Sequence, residues 1–145
     1  MKIALGCDHG GLEIKNAIIE DLKNKGVEFI DFGTTTTDSV DYPVYAKKVC
    51  AAVQSGECVL GILCCGTGIG MSMTANKQKG IRAAVLSDAF SAEMTRRHNN
   101  ANVLAMGAGL TGTNVALRMV EVFLNTEFEG GRHQRRVDLL DAIQP

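Results

Sequence analysis

Short apolar runs and longer amphipathic stretches alternate from one end of the chain to the other. The runs KIALGC (2–7), VEFIDF (27–32), CVLGILC (58–64), IRAAVL (81–86) and NVLAM (102–106) are continuous rather than alternating in polarity. Parallel strands covered on both faces read this way. Between the first two runs, Leu12, Ile14, Ala17, Ile18 and Leu22 fall near helical spacing and predict a helix over Leu12–Lys25. Pro43 suits the first turn of a second helix through VYAKKVCAAVQ, where its missing N–H costs nothing. Further helices are predicted over 71–77, 89–98, 113–124 and 135–143, with EGGR (129–132) as the turn into the last. This order implies one α/β domain over 1–145, with no internal repeat, linker or low-complexity tract. The expected architecture is a three-layer α/β/α sandwich, Rossmann-like, on a five-stranded parallel sheet with right-handed crossovers.

Composition narrows the function. With 46% hydrophobic and 21% charged residues, 145 residues can bury a full core. A net charge of −1 and few aromatic residues, with no Trp, argue against a nucleic-acid surface. No apolar run is long enough to span a membrane, and MKIALGCDHGG lacks the layout of a signal peptide. Five cysteines, three of them (Cys50, Cys58, Cys64) among apolar neighbours, read as reduced thiols of a cytoplasmic protein rather than a disulfide framework.

In a parallel sheet, ligands bind beyond the carboxyl ends of the strands. Asp8-His9-Gly10-Gly11 follows the first strand, Cys65-Gly66-Thr67-Gly68-Ile69-Gly70 the third and Gly107-Ala108-Gly109 the fifth. Cys65 stands where strand meets helix, so a helix dipole and unpaired N–H groups would favour its thiolate as nucleophile or base. Cys64, within the strand, reads instead as a small hydrophobe. Gly66, Gly68 and Gly70 let backbone amides converge on an anion, and the Thr67 hydroxyl adds a donor. A tight strand-to-helix turn would by itself need only one of these glycines. His98 and Asn99 end a predicted helix, where a histidine can simply cap carbonyls. Arg132 and Arg136, four apart on one face of the last helix, are either a solvated basic face or, with His133, a grip for phosphate.

Three other patterns lead nowhere. Gly107-Ala-Gly109-Leu-Thr-Gly112 fits a dinucleotide fingerprint, but no later strand supplies the acidic tip. A phosphatase loop would need Arg six residues after its cysteine, where Cys65 has Met71 and Cys7 has Glu13. No C-x-x-C pair suggests a metal site, and adjacent Cys64 and Cys65 diverge from a strand.

Taken together, GCDHGG, DYP (41–43), CGTGIG (65–70), ANK (75–77), RHNNANVLAMG (97–107) and EGGRHQRRV (129–137) resemble, in register from residue 1 to about 143, the type B ribose-5-phosphate isomerases. That family also includes galactose-6-phosphate isomerase subunits and allose-6-phosphate isomerases. The resemblance implies aldose–ketose isomerisation of ribose 5-phosphate and ribulose 5-phosphate through a cis-enediolate, without metal or cofactor. It makes Cys65 the base, lets Thr67 and Gly66 to Gly70 (Gly66, Gly68, Ile69, Gly70) hold the enediolate oxygen, and assigns ring opening to His98. Asp8, His9 and Asn99 would contact sugar hydroxyls, and Arg132 and Arg136 the phosphate. It also implies a homodimer whose sites take His98 and Asn99 from the neighbouring chain. One position departs: the family commonly has arginine where this chain has Gly109, which leaves a six-carbon aldose phosphate as an alternative substrate. Outside the enzymes, the alternative is a nucleotide-binding module built on the Gly107–Gly112 turn.

Overall fold

The structure is a computed structural model that describes residues 1–143. Strands β1 (Lys2–Cys7), β2 (Glu28–Asp31), β3 (Leu60–Cys65), β4 (Ala83–Val85) and β5 (Val103–Gly107) form one parallel sheet in the order β2-β1-β3-β5-β4. Helices α1 (Leu12–Asn24), α2 (Tyr42–Gln54), α3 (Ile69–Asn76), α4 (Ala89–Asn99), α5 (Thr113–Asn125) and α6 (Arg132–Asp141) connect and follow the strands, and a short 3-10 turn (His9–Gly11) precedes α1. The predicted α/β sandwich on five parallel strands is therefore the observed fold.

Because side chains alternate along a strand, each central strand feeds two cores. Ile3, Leu5 and Cys7 of β1, Ile62 and Cys64 of β3 and Leu104 and Met106 of β5 pack with α1, α4 and α5. Ala4, Leu63, Cys65, Val103 and Ala105 face α2 and α3 on the other side. On α5, Ala116, Met119, Val120 and Phe123 repeat at helical spacing and are all buried; each of the larger ones contributes roughly 1.5–3 kcal/mol. The alternation also sends Cys64 and Cys65 to opposite faces of β3, as their adjacency requires.

The helix after β1 covers one face and the helix after β3 the other. The carboxyl ends of these neighbouring strands thus open into the crevice where such sheets bind ligands. Of the element boundaries that differ from the sequence expectation, three have clear local reasons. β3 extends through Cys65, whose partner in the ladder is Gly107. β4 shrinks to three residues because, before it, the Asn76 and Asn102 side chains bond the backbone of Ala83 and Arg82. α6 starts at Arg132 rather than at residue 135, since Gly130 and Gly131 take positive φ (66° and 57°) and complete the turn earlier.

Candidate active site

At the carboxyl edge, three turns meet backbone to backbone. Asp8 N–H donates to the Cys64 carbonyl (3.3 Å), while Ala108 and Gly109 N–H donate to the carbonyls of Cys65 and Gly66 (2.9 Å each). Side chains are excluded from the contacts: a Cβ on Gly11 would overlap the Cys64 carbonyl, and one on Gly107 the Thr67 backbone. Gly68 is constrained twice. Its φ of 80° is a left-handed conformation, and a Cβ would come within 2.8 Å of the Met106 backbone. At the start of the Gly107–Gly112 turn the approach is occupied, because the Thr67 backbone lies against Gly107.

Cys65 closes β3 at the centre of this arrangement, 6% exposed, and its Sγ accepts the Gly68 N–H at 2.9 Å. Thr67 is exposed and its Oγ1 accepts the Ile69 N–H (3.3 Å); the following N–H groups of α3's first turn have no helical partner of their own. Gly66, next in sequence, is exposed with open space where a side chain would stand. Gly70 has another reason to be glycine: the Tyr42 ring lies where its Cβ would be, 2.5 Å away. Asp8, 9% exposed, uses Oδ1 to accept the N–H groups of Gly10 (2.9 Å) and Gly11 (3.2 Å), and exposed His9 accepts the Val40 N–H at Nδ1 (3.2 Å).

The other thiols are placed differently. Burial pushes Cys7 and Cys50 up to about 11 and raises Cys58 and Cys64 as well. Their exposures are 1% or less. Cys65, at 6%, is the most accessible of the five thiols.

The remaining predicted residues lie elsewhere. α4 descends from the carboxyl end of β4 and delivers His98 and Asn99 just before β5 begins at Val103, whereas Cys65 aligns with Gly107 at that strand's far end. Four strand steps span about 13 Å. His98 and Asn99 consequently stand at the opposite edge of the sheet from their own chain's Cys65. α6 packs on α4 there: the His98 and His133 rings stack, centroids 4.4 Å apart and planes 10° from parallel. Arg82, ahead of β4, pairs with Asp141 at α6's far end (3.0 Å). Arg132 and Arg136 are exposed on this helix, four residues apart. Asn99 is exposed, accepts the Thr95 hydroxyl (3.1 Å) and borders a cavity of about 440 Å³ that is also lined by Arg82, Leu140 and Asp141.

One member of this second cluster, Glu129, escaped the sequence reading. Glu129 receives Arg97 Nε (2.5 Å) and lies 3.5 Å from His133 Nε2 and 4.0 Å from His98 Nε2. The Arg97 guanidinium holds its carboxyl below the usual range. His133 is 7% exposed; burial pushes its imidazolium down, and His98 and Arg132 push the same way. A glutamate beside GGRH gave no signal by spacing, since α4 and α6 meet only in three dimensions. His98, Glu129 and His133 gather metal-type ligand atoms within 4.8 Å. A cation does not fit them: Arg97 already pairs with one Glu129 oxygen, and Arg132 and Arg136 add positive charge. The surroundings suit an anion.

The molecule thus presents a thiol with aimed amides at one edge and a histidine–arginine cluster at the other. Comparison with known proteins gives the same kinship throughout. A family described as Ribose/Galactose Isomerase matches residues 3–140. Ribose-5-phosphate isomerase B of Escherichia coli is 49% identical over 143 residues, which cover 99% of this chain and 96% of that protein. The structure of Clostridium thermocellum ribose-5-phosphate isomerase B superposes with a TM-score of 0.96 at 51% identity, over 97% of this chain and 95% of the other. That of Mycoplasma genitalium ribose-5-phosphate isomerase B, with bound ribulose 5-phosphate, gives a TM-score of 0.92 at 40% identity over 97% and 93%. Near-complete coverage at this identity, on the same fold and with the cysteine turn at the ligand-binding edge, settles the kinship: the chain belongs to the ribose/galactose isomerase family, among the type B ribose-5-phosphate isomerases.

Proposed function

We propose that the protein interconverts ribose 5-phosphate and ribulose 5-phosphate, with Cys65 as the base, in a site completed by a second copy of the chain. The observation that carries this reading is the Cys65 turn itself. A sulfur 6% exposed accepts the Gly68 N–H at the carboxyl end of β3, and Gly66 next to it carries no side chain. A charged sulfur accepts such a bond more strongly than a neutral one.

In the open-chain aldose, the Cys65 thiolate takes the proton from C2. The electron pair moves into a C1–C2 double bond and the aldehyde oxygen becomes an enediolate oxygen. Thr67 and the amides of Gly66 to Gly70 (Gly66, Gly68, Ile69, Gly70) stabilise that charge; well-placed donors of this kind are each worth about 3 kcal/mol. The O2 proton passes to O1, the thiol returns its proton to C1, and the ketose results. Asp8 and His9 hold the sugar hydroxyls beside the sulfur. His98 opens the furanose by carrying the anomeric hydroxyl proton to the ring oxygen, Asn99 binds a hydroxyl, and Arg132 and Arg136 hold the phosphate.

The separation of the two clusters supports a shared site, since one chain's His98 is too far from its own Cys65 to serve it. Exposed apolar side chains support it too. Ile69 (48%), Met73 (64%), Val85 (41%) and Phe90 (70%) flank the thiol end, and Leu139 (61%) and Leu140 (50%) lie uncovered on α6. Unpartnered apolar surface near both half-sites suits a second copy. Gly109 favours a second reading, a six-carbon aldose phosphate. It is exposed beside Gly66, and no side chain reaches from it into the cleft.

Proton NMR in D2O with ribose 5-phosphate tests the reading. Wild type should yield ribulose 5-phosphate with exchange at C2. Cys65→Ala should lose both by at least about a hundredfold, the lower range for removal of a positioned base. Turnover of allose or galactose 6-phosphate alone would shift the substrate to six carbons. Equal conversion by both proteins would remove Cys65 from its role.

A further inference from the structure

Lys15 is a lysine with no exposed surface whatever, placed in the second turn of α1. Its Nζ donates to both Asp31 carboxylate oxygens (2.7 and 2.9 Å) and to the Thr34 carbonyl (2.8 Å), which uses all three of its protons. Asp31 also accepts the Gly33 N–H (2.9 Å), and Thr34 N–H bonds the Cys7 carbonyl (2.7 Å). Burying an ammonium is costly unless it fixes something. Here it fixes the start of the segment from Thr35 to Asp41, a strap that runs from the end of β2 to α2. The strap's far end is held as well, because Tyr42, the first residue of α2, lies against Gly70.

Between these clamps the strap is almost free. Among the described residues, the one hydrogen bond from residues 35–40 to the rest of the chain is the Val40 N–H to His9 Nδ1, at 3.2 Å. A backbone N–H can only donate, so Nδ1 must be the accepting nitrogen and the neutral ring carries its proton on Nε2. We propose that Lys15 is a positioning residue for His9: through Asp31 and the Thr34 carbonyl it seats the strap, and the Val40 amide then holds His9 as a donor from Nε2. The assignment rests on the reading of His9 as a sugar-binding residue. It gives the Asp8-His9 pair divided duties, with the carboxylate accepting a hydrogen bond from one sugar hydroxyl and the imidazole donating one to another.

The experiment separates ring, strap and activity. Long-range 15N–1H NMR of histidine-labelled protein without substrate reads the His9 tautomer; steady-state kinetics with ribose 5-phosphate reads its use. The variant is Lys15→Met with Asp31→Asn, which removes both charges at once and leaves no orphaned ion. Wild type should show Nε2–H with an accepting Nδ1. The double variant should lose that signature, with KM raised about five- to tenfold and kcat within about twofold, the scale of one positioned hydrogen bond. A folded double variant with unchanged ring signals and KM overturns the proposal, as does a wild-type ring protonated at Nδ1. Should the double variant not fold, Val40→Pro deletes the donor alone and must give the same spectral change. If the ring signals behave as expected while wild type turns over no sugar phosphate, the isomerase reading fails and the strap's hold on His9 stands.

Discussion

At the scale of single residues, this protein separates what must be glycine from what merely is. Gly68 has no alternative, since its backbone is left-handed and Met106 fills the space beside it. Gly109 is different. Its φ is not left-handed, and a Cβ would stand 3.0 Å from the Gly66 carbonyl, a contact relieved by a shift of a few tenths of an ångström. In the proposed reaction an arginine there would add its guanidinium to the grip on the substrate's phosphate. Gly109→Arg should therefore lower KM for ribose 5-phosphate about tenfold, the effect of one charge-assisted hydrogen bond, while disfavouring six-carbon phosphates. Initial rates on both substrate classes check it, and unchanged selectivity would show that position 109 plays no part in choosing the sugar.

The residues that chemistry singles out were legible in the sequence to unequal degrees. Cys65, Gly66, Thr67 and Asp8 announce themselves because they follow apolar runs, and strand ends are where such sheets bind. Glu129, Lys15 and Val40 do not. Their partners lie 32, 16 and 31 residues away along the chain, and no local period connects them. A buried lysine is also indistinguishable from an exposed one in a helix that carries polar residues on both sides, as Leu12–Asn24 does.

At the scale of elements, α6 is the segment where pH acts. His133 is buried with its imidazolium disfavoured, and Glu129 is held ionised by Arg97. Unfolded, the histidine takes a proton near its ordinary value of 6.5; folded, it resists. The unfolded state therefore binds more protons as pH falls below about 6.5, and stability declines there. The Glu129 contribution is present above its ordinary value and is lost only when pH falls through its lowered folded value, deeper in acid. Wild type should lose melting temperature between pH 7 and 5, and His133→Asn should lose less over the same interval. Thermal melts of the two proteins at matched ionic strength decide this, and parallel pH curves would exonerate His133. The helix was foreseen three residues late because glycine pairs usually break helices, whereas Gly130-Gly131 here turn the chain into one.

At the scale of the whole molecule, strand order was beyond the sequence's reach although strand number was not. Apolar runs reveal burial on both faces, but nothing local states that β5 inserts between β3 and β4. Independently of that order, α4 runs back from the carboxyl end of β4 and so sets the thiol and the histidine cluster at opposite ends of the strands. If two copies complete each other's sites, inactive Cys65→Ala and His98→Asn chains should regain activity on mixing and exchange. Half the dimers would be mixed, each with one intact site of two, so about a quarter of wild-type activity is expected from a two-fold pairing. No recovery after verified exchange would mean that each chain completes its own site.

The backbone contacts among the three turns carry a consequence for how such an enzyme changes its diet over evolutionary time. Gly11 against Cys64, Gly68 against Met106 and Gly107 against Thr67 leave no volume for a side chain at those three positions. There the edge is mutationally closed: a side chain meets backbone before it can tune the chemistry. Novelty in the sugar accepted must enter through the permissive surroundings, at Gly109, along the exposed strap from Thr35 to Ser39, or on α6. The molecule keeps its reaction under lock while leaving its choice of substrate open to drift.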